Sequence, residues 1–295
     1  MSKHSYSVIN INDCTDDTQG ALAPAKIKVA FERHAEHDGV RLSGVSHVGI
    51  EKYNTYDLAF KFADLAAGLP DPEHVIFEIN TAPAGSRGSF VIGRLRNGAI
   101  FGGTAGGHCL SLVRSQIAEI FYLQSTNKKA ENFRSYKVLP KALVKFAAGK
   151  LKSKHLGSVK DLADVAPLLR HSIAGAVDNF GNIKLALTFG DAHKLGRAWD
   201  LHKSKPIRSD QDFNPLNATF SFSETPHESD LHTARVVPGM FAGSTGELVL
   251  SLTSSSEIWN EVGELAPVAQ VARISDDVGI PLPKPGAPFH LALAN

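Results

Sequence analysis

Hydrophobic and polar positions change rhythm near the middle of the chain. Tyr6 to Ile11 has the length and β-branched content of a buried strand, and turn-forming residues follow from Asp13 to Gly20. Ala23 to Ala35 places Ile27, Ala30 and Phe31 on one helical face, and Val40 to Val48 returns to a strand pattern. Thr55 to Leu69 repeats Leu58, Phe62, Leu65 and Ala66 at helical spacing, with Gly68 and Pro70 as stop signals. His74 to Ile79, Ser89 to Arg94 and Ala99 to Gly102 read as further strands, the last two joined by a turn at Asn97-Gly98. Such alternation predicts a mostly parallel sheet covered by helices.

After a helical stretch from Leu139 to Ala148 and a lysine-rich segment at Lys150 to Lys154, helix signals thin out. Short strand patterns take over at Ser172–Val177, Asn182–Phe189, Ala218–Ser223, Ala234–Val237, Glu247–Thr253 and Pro267–Ile274. The expected architecture is an α/β N-terminal domain over residues 1–166 and an antiparallel, barrel-like β domain over 167–295. The proline-rich stretch from Pro281 to Pro288 is expected to run extended over the surface.

Composition narrows the class. The 295 residues are 43% apolar and 21% charged, ordinary globular values, and the formal charge is only +1. No global field favours nucleic acid or an anionic membrane. Cys14 and Cys109 cannot form a disulfide framework, the N-terminus lacks the apolar core of a signal peptide, and no run approaches a membrane span. These features predict a cytoplasmic protein with no membrane or nucleic-acid partner.

The densest polar cluster is Asp13-Cys14-Thr15-Asp16-Asp17-Thr18, directly after the first strand. In a doubly wound sheet such carboxylates face the ligand crevice, where they could accept hydrogen bonds from a ribose diol or help hold a hard cation. A helix cap with solvated loop acids accounts for them equally well. The glycine-rich Phe101 to Leu110 fits neither phosphate-loop pattern and reads better as tight packing. His34 with His37 and His227 with His232 lack a third ligand, so no metal site is expected. Asn179 to Asn182, taken alone, is a hairpin turn.

The order of these pieces resembles the S-adenosylmethionine hydroxide adenosyltransferase family and its fluorinase and chlorinase relatives. The resemblance rests on Ile11-Asn12-Asp13 with Thr15-Asp16-Asp17-Thr18, on Ser46-His47 before Tyr56-Asp57, and on Asn80 through Arg87. It continues in Asp178-Asn179-Phe180-Gly181-Asn182 and in Ser244-Thr245-Gly246-Glu247-Leu248. The resemblance implies a homotrimer that binds adenosylmethionine and cleaves it to adenosine and methionine by attack at ribose C5′, with no separate cofactor. It assigns the ribose diol to Asp13, the sugar or adenine to Tyr56, and further ligand contacts to Asp178, Phe180, Asn182 and Ser244. Its catalytic positions fall on Asn80 and Arg87. The family aspartate is replaced by Asn80, and the family histidine region reads Phe133-Arg134-Ser135-Tyr136. Asn80 cannot act as a general base. Two alternatives therefore stand beside hydrolysis: a non-catalytic nucleoside-binding protein, and an enzyme using another nucleophile such as halide. A calcium-dependent nucleoside hydrolase is a rival from another class, on the acidic loop alone.

Overall fold

The computed structural model describes residues 5–14, 22–81, 89–124, 134–177, 182–188, 190, 191, 195, 217–223, 225, 227–237, 248–252, 266–273 and 283–293. The chain divides into two compact units, Met1–Leu168 and Leu169–Asn295.

Among the described residues the first unit holds seven strands: β1 (Ser5–Asn12), β2 (Arg41–Gly49), β3 (Val75–Asn80), β4 (Ser89–Leu95), β5 (Ile100–Ala105), β6 (Ile117–Leu123) and β7 (Leu156–Ser158). Their order is β2-β1-β3-β5-β4-β6-β7. The first four in that order are parallel, β4 reverses, β6 runs with the parallel set, and β7 reverses again. The sheet is therefore mixed and mostly parallel. Among its strands, β6 and the short β7 are additional to those expected from sequence.

Helix α1 (Leu22–Asp38) and helix α3 (Arg134–Ala147) cover one face of this sheet. Ile27 and Phe31 of α1 meet Leu139 and Leu143 of α3 over Val8, Ile76, Ile92 and Ile100. Helix α2 (Thr55–Gly68) covers the other face, where Phe62 packs edge-on against Phe77 at 5.0 Å. The apolar repeat expected from sequence is what α2 buries: Leu58, Phe62 and Ala66 are all inaccessible.

Helix α2 starts where it does because Asn54 caps it. Its Oδ1 accepts the Tyr56 and Asp57 backbone N–H groups at 3.1 and 2.9 Å. Asn54→Ala should therefore destabilise the first unit by about 1 kcal/mol, read as an earlier urea midpoint with an unchanged slope. Gly103 shows why glycines crowd β5. A Cβ there would lie 1.7 Å from the Ile79 carbonyl oxygen. The glycine-rich stretch thus serves close packing of β5, and the helix that follows is a three-ten turn, Ser111–Gln116.

The second unit holds β8 (Ile173–Val177), β9 (Ile183–Leu187), β10 (Asn217–Ser221), β11 (His232–Val237), β12 (Leu248–Leu252), β13 (Ala266–Arg273) and β14 (His290–Leu293). The order is β14-β10-β11-β12-β13-β9-β8, antiparallel everywhere except between β11 and β12. No closed barrel is found among the described residues, so the supported description is a mostly antiparallel sheet.

The described part of the proline-rich stretch stays half-buried or exposed but is not extended throughout: it turns where Ala287 N–H donates to the Lys284 carbonyl at 2.9 Å, and it is bonded to β8. Gly286 N–H donates to the Ala174 carbonyl at 2.8 Å, Ala174 N–H donates to the Ala287 carbonyl at 2.8 Å, and Phe289 N–H donates to the Ser172 carbonyl at 2.7 Å. Phe289 is buried, and β14 follows directly. Proline removes a donor only at its own position, so its neighbours remain free to pair.

Candidate functional site

The strand order reverses between β1 and β3. From β1 the chain crosses by α1 to β2 on one side, then by α2 to β3 on the other, with the two helices on opposite faces. A crevice opens beyond the carboxyl ends of strands at such a point, because the two connections leave in opposite directions. Asp13 follows the end of β1, and Asn80-Thr81 ends β3, with Asp13 N–H donating to the Asn80 carbonyl at 3.3 Å. The predicted Asp13 and Asn80 are thus brought together at the switch point.

Asp13 is held by two donors. Its Oδ2 accepts the Thr81 hydroxyl at 2.9 Å and the Tyr53 backbone N–H at 3.2 Å, while its Oδ1 lies 3.6 Å from the Cys14 thiol. A thiol is a weak donor, which leaves Oδ1 able to take a stronger one. Among the described residues Tyr53 is the one non-glycine residue with a positive φ, 60°. Its ring is largely exposed at 65%. Left-handed backbone is costly for a bulky residue, and here it turns the Tyr53 N–H toward the Asp13 carboxylate.

Tyr56, in the first turn of α2, stacks on His108 with ring centroids 4.4 Å apart and planes 15° from parallel. Burial raises the Tyr56 phenol above its ordinary pKa. His108 Nδ1 lies 3.2 Å from the Ser111 hydroxyl, and the turn preceding it is drawn tight at Gly107, whose φ is +55°. A Cβ at Gly107 would come within 2.6 Å of Thr55. The stacking partner of His108 is Tyr56, distant in sequence.

The opposite face of the same strand ends is also polar. Registry aligns Asn10 with His47 and Glu78, and Asn12 with Asn80. Asn10 Nδ2 donates to Glu78 Oε2 at 3.2 Å, Asn12 Nδ2 donates to Asn10 Oδ1, and Cys14 N–H donates to Asn12 Oδ1 at 2.8 Å. His47 Nδ1 lies 3.1 Å from Asn10 Oδ1. Asn10, Asn12 and Glu78 are fully buried. Burial pushes the Glu78 carboxyl up to about 8, an effect that the Asn10 hydrogen bond only partly opposes, and burial also lowers His47. Glu78 Oε1 is buried and meets no hydrogen-bond partner among the described residues.

Asn80 itself accepts the Thr104 hydroxyl at Oδ1, 3.4 Å away. An amide in that position can orient a ligand but cannot take a proton from water. Asn182 is buried at the start of β9 in the second unit. Arg87, Asp178, Phe180 and Ser244 lie outside the described residues, as do Asp16 and Asp17 of the acidic turn.

Asp71, Glu73 and His74 form the one grouping of potential metal ligands among the described residues, their donor atoms within 4.8 Å of one another. They lie just before or at the amino-terminal end of β3, whereas Asp13 lies beyond the carboxyl ends, and His74 already contacts Asp71 at 3.0 Å. Among the described residues no helix is long and apolar enough to cross a membrane.

Fold and site define an α/β unit with polar side chains gathered at its switch point, followed in the chain by a β unit. No family model and no curated protein matches the chain significantly. Solved structures share its fold, the following two among them. An uncharacterized conserved protein from Thermotoga maritima matches with a TM-score of 0.66 at 14% identity, over 96% of this chain and 100% of that one. A conserved hypothetical protein from Thermus thermophilus matches with a TM-score of 0.58 at 15% identity, over 97% of this chain and 100% of that one. At that identity the likeness carries the fold and nothing further.

Proposed function

We propose that the protein binds adenosylmethionine at the switch-point crevice of its first unit, with Asp13 holding the ribose diol. The observation that carries this reading is the state of the Asp13 carboxylate. Thr81 and Tyr53 fix Oδ2, while among the described residues Oδ1 meets only the Cys14 thiol. A vicinal diol supplies the hydroxyl donors such an oxygen lacks. The Tyr56 ring, braced by His108, offers a flat wall for the sugar or adenine. Homotrimer formation and the contacts assigned to Asp178, Phe180, Asn182, Ser244 and Arg87 belong to this proposal through the family resemblance.

Hydrolysis would form a bond from water oxygen to C5′ and break the C5′–sulfur bond. The electron pair leaves on sulfur as neutral methionine, and the water proton goes to solvent. Because a sulfonium departs uncharged, the reaction needs alignment and a dry nucleophile more than acid catalysis. Asn80 contributes no base, which favours a second reading, binding without turnover.

Isothermal calorimetry with adenosylmethionine separates these. Sustained heat proportional to protein, with adenosine and methionine as products, would establish cleavage. A saturable isotherm without sustained heat would establish a binding protein. Absence of heat at two temperatures would overturn the reading.

A further inference from the structure

The buried polar network beneath the strand ends has a single direction, held at one end by the Cys14 N–H and at the other by the Glu78 side chain. The Cys14 backbone N–H can only donate, so Asn12 must present Oδ1 to it. Asn12 then turns Nδ2 toward Asn10, which must answer with its own Oδ1. Asn10 is left to point Nδ2 at Glu78, whose Oε2 accepts. Three amide hydrogen bonds thus run in one sense from the Asp13–Cys14 turn down to a buried carboxyl. The same logic fixes His47. Asn10 Oδ1 is an acceptor, so Nδ1 of His47 carries the proton and Nε2 keeps its lone pair.

We propose that Glu78 is a positioning residue. By accepting from Asn10 it holds the Asn10–Asn12 chain in one orientation, and through it both the Asp13–Cys14 turn and the Nδ1–H tautomer of His47. Glu78 itself is wholly buried. Its action is exerted through two amides that could otherwise flip, because an amide reads almost equally well either way round until a neighbour decides. The need is for an acceptor rather than a charge, which agrees with a carboxyl that burial keeps protonated at neutral pH. The proposal deepens the adenosylmethionine reading, on which it rests only for the consequence for affinity.

Two readouts need no ligand. Cys14 is half-exposed and neither cysteine is disulfide-bonded, whereas Cys109 is buried with its thiol pushed up to about 12. The reaction of folded protein with a thiol-specific chromogenic disulfide therefore reports Cys14. The 15N shifts of His47 report which ring nitrogen is protonated. Glu78→Leu removes the side-chain acceptor at 3.2 Å and leaves Asn10 Nδ2 with only the longer contact to the Glu78 carbonyl at 3.5 Å. It should speed the Cys14 reaction at least fivefold, give His47 a mixture of tautomers, and weaken adenosylmethionine binding about tenfold. Glu78→Gln keeps an acceptor without charge and should match wild type in all three.

A leucine variant with the wild-type thiol rate and tautomer would overturn the proposal, and so would a glutamine variant that behaves like the leucine one. Should Glu78→Leu fail to fold, Asn12→Ala breaks the chain at its last link with the buried acid in place. It must raise the Cys14 rate, and an unchanged rate overturns the proposal. If wild type does not bind adenosylmethionine while the thiol and tautomer readouts respond as stated, the ligand assignment fails and the positioning role stands.

Discussion

Asp13→Asn should lower the affinity for adenosylmethionine by roughly 100- to 1000-fold while leaving the fold intact, as measured by calorimetry beside a thermal melt. Hydrogen bonds to a charged acceptor contribute about 1.5–3 kcal/mol each, and every 1.4 kcal/mol is tenfold in affinity. Two hydroxyls on one carboxylate reach the stated range. The asparagine carbonyl can still accept from Thr81 and the Tyr53 N–H, so the buried Thr81 hydroxyl keeps its partner. What is lost is the charge, and the amide nitrogen now stands where an acceptor is required. Asp13→Ala is a poorer test, since it would also leave Thr81 unsatisfied in the interior.

The sharper control changes the ligand. If Asp13 holds the diol, the penalty for a 2′-deoxy analogue should be large in wild type and small in Asp13→Asn, because both changes remove the same contact. Equal penalties in the two proteins would place the diol elsewhere, and unchanged affinity in Asp13→Asn would refute the ribose assignment outright.

Much of the first unit was legible because its signals are local. The helical repeat of α2, with the stop at Gly68 and Pro70, depends on nothing outside the segment. The polar residue after β1 could be placed at a strand end by the same means. Strand β6, Ile117–Leu123, was not among the strands expected from sequence. Its place is decided by antiparallel pairing with β4.

Asn10, Asn12 and Glu78 were illegible for a different reason. They alternate with Ile9, Ile11, Phe77 and Ile79, the pattern of a strand with one wet face. Only the packing of α1 and α3 over that face makes it interior. The Tyr56–His108 stack likewise depends on the first turn of α2 meeting the turn after β5, which no spacing encodes.

Glu78 also gives the protein an unusual response to pH, which Glu78→Gln should erase. Its folded pKa is raised to about 8, against roughly 4.3 for an unperturbed glutamate. Between those values the folded chain keeps a proton that the unfolded chain has released, so folding stability falls as pH rises, by about 1.4 kcal/mol for each step of one in pH. The contribution is fully present below about pH 4, declines through neutrality and levels off above about pH 8. Glutamine carries no proton to lose. Glu78→Gln should therefore match wild type near about pH 4.5 and exceed it by about 3 kcal/mol at about pH 7, with the gap widening to about pH 8.

The comparison isolates Glu78 because His34 and His47 act alike in both proteins. Burial leads the causes that lower each of them, so both add stability as pH rises and have the opposite sign to Glu78. Urea unfolding at about pH 5, 7 and 8.5 is the measurement, with the difference in midpoint as the readout. Parallel pH profiles for the two proteins would show that Glu78 reaches water or a further partner when folded.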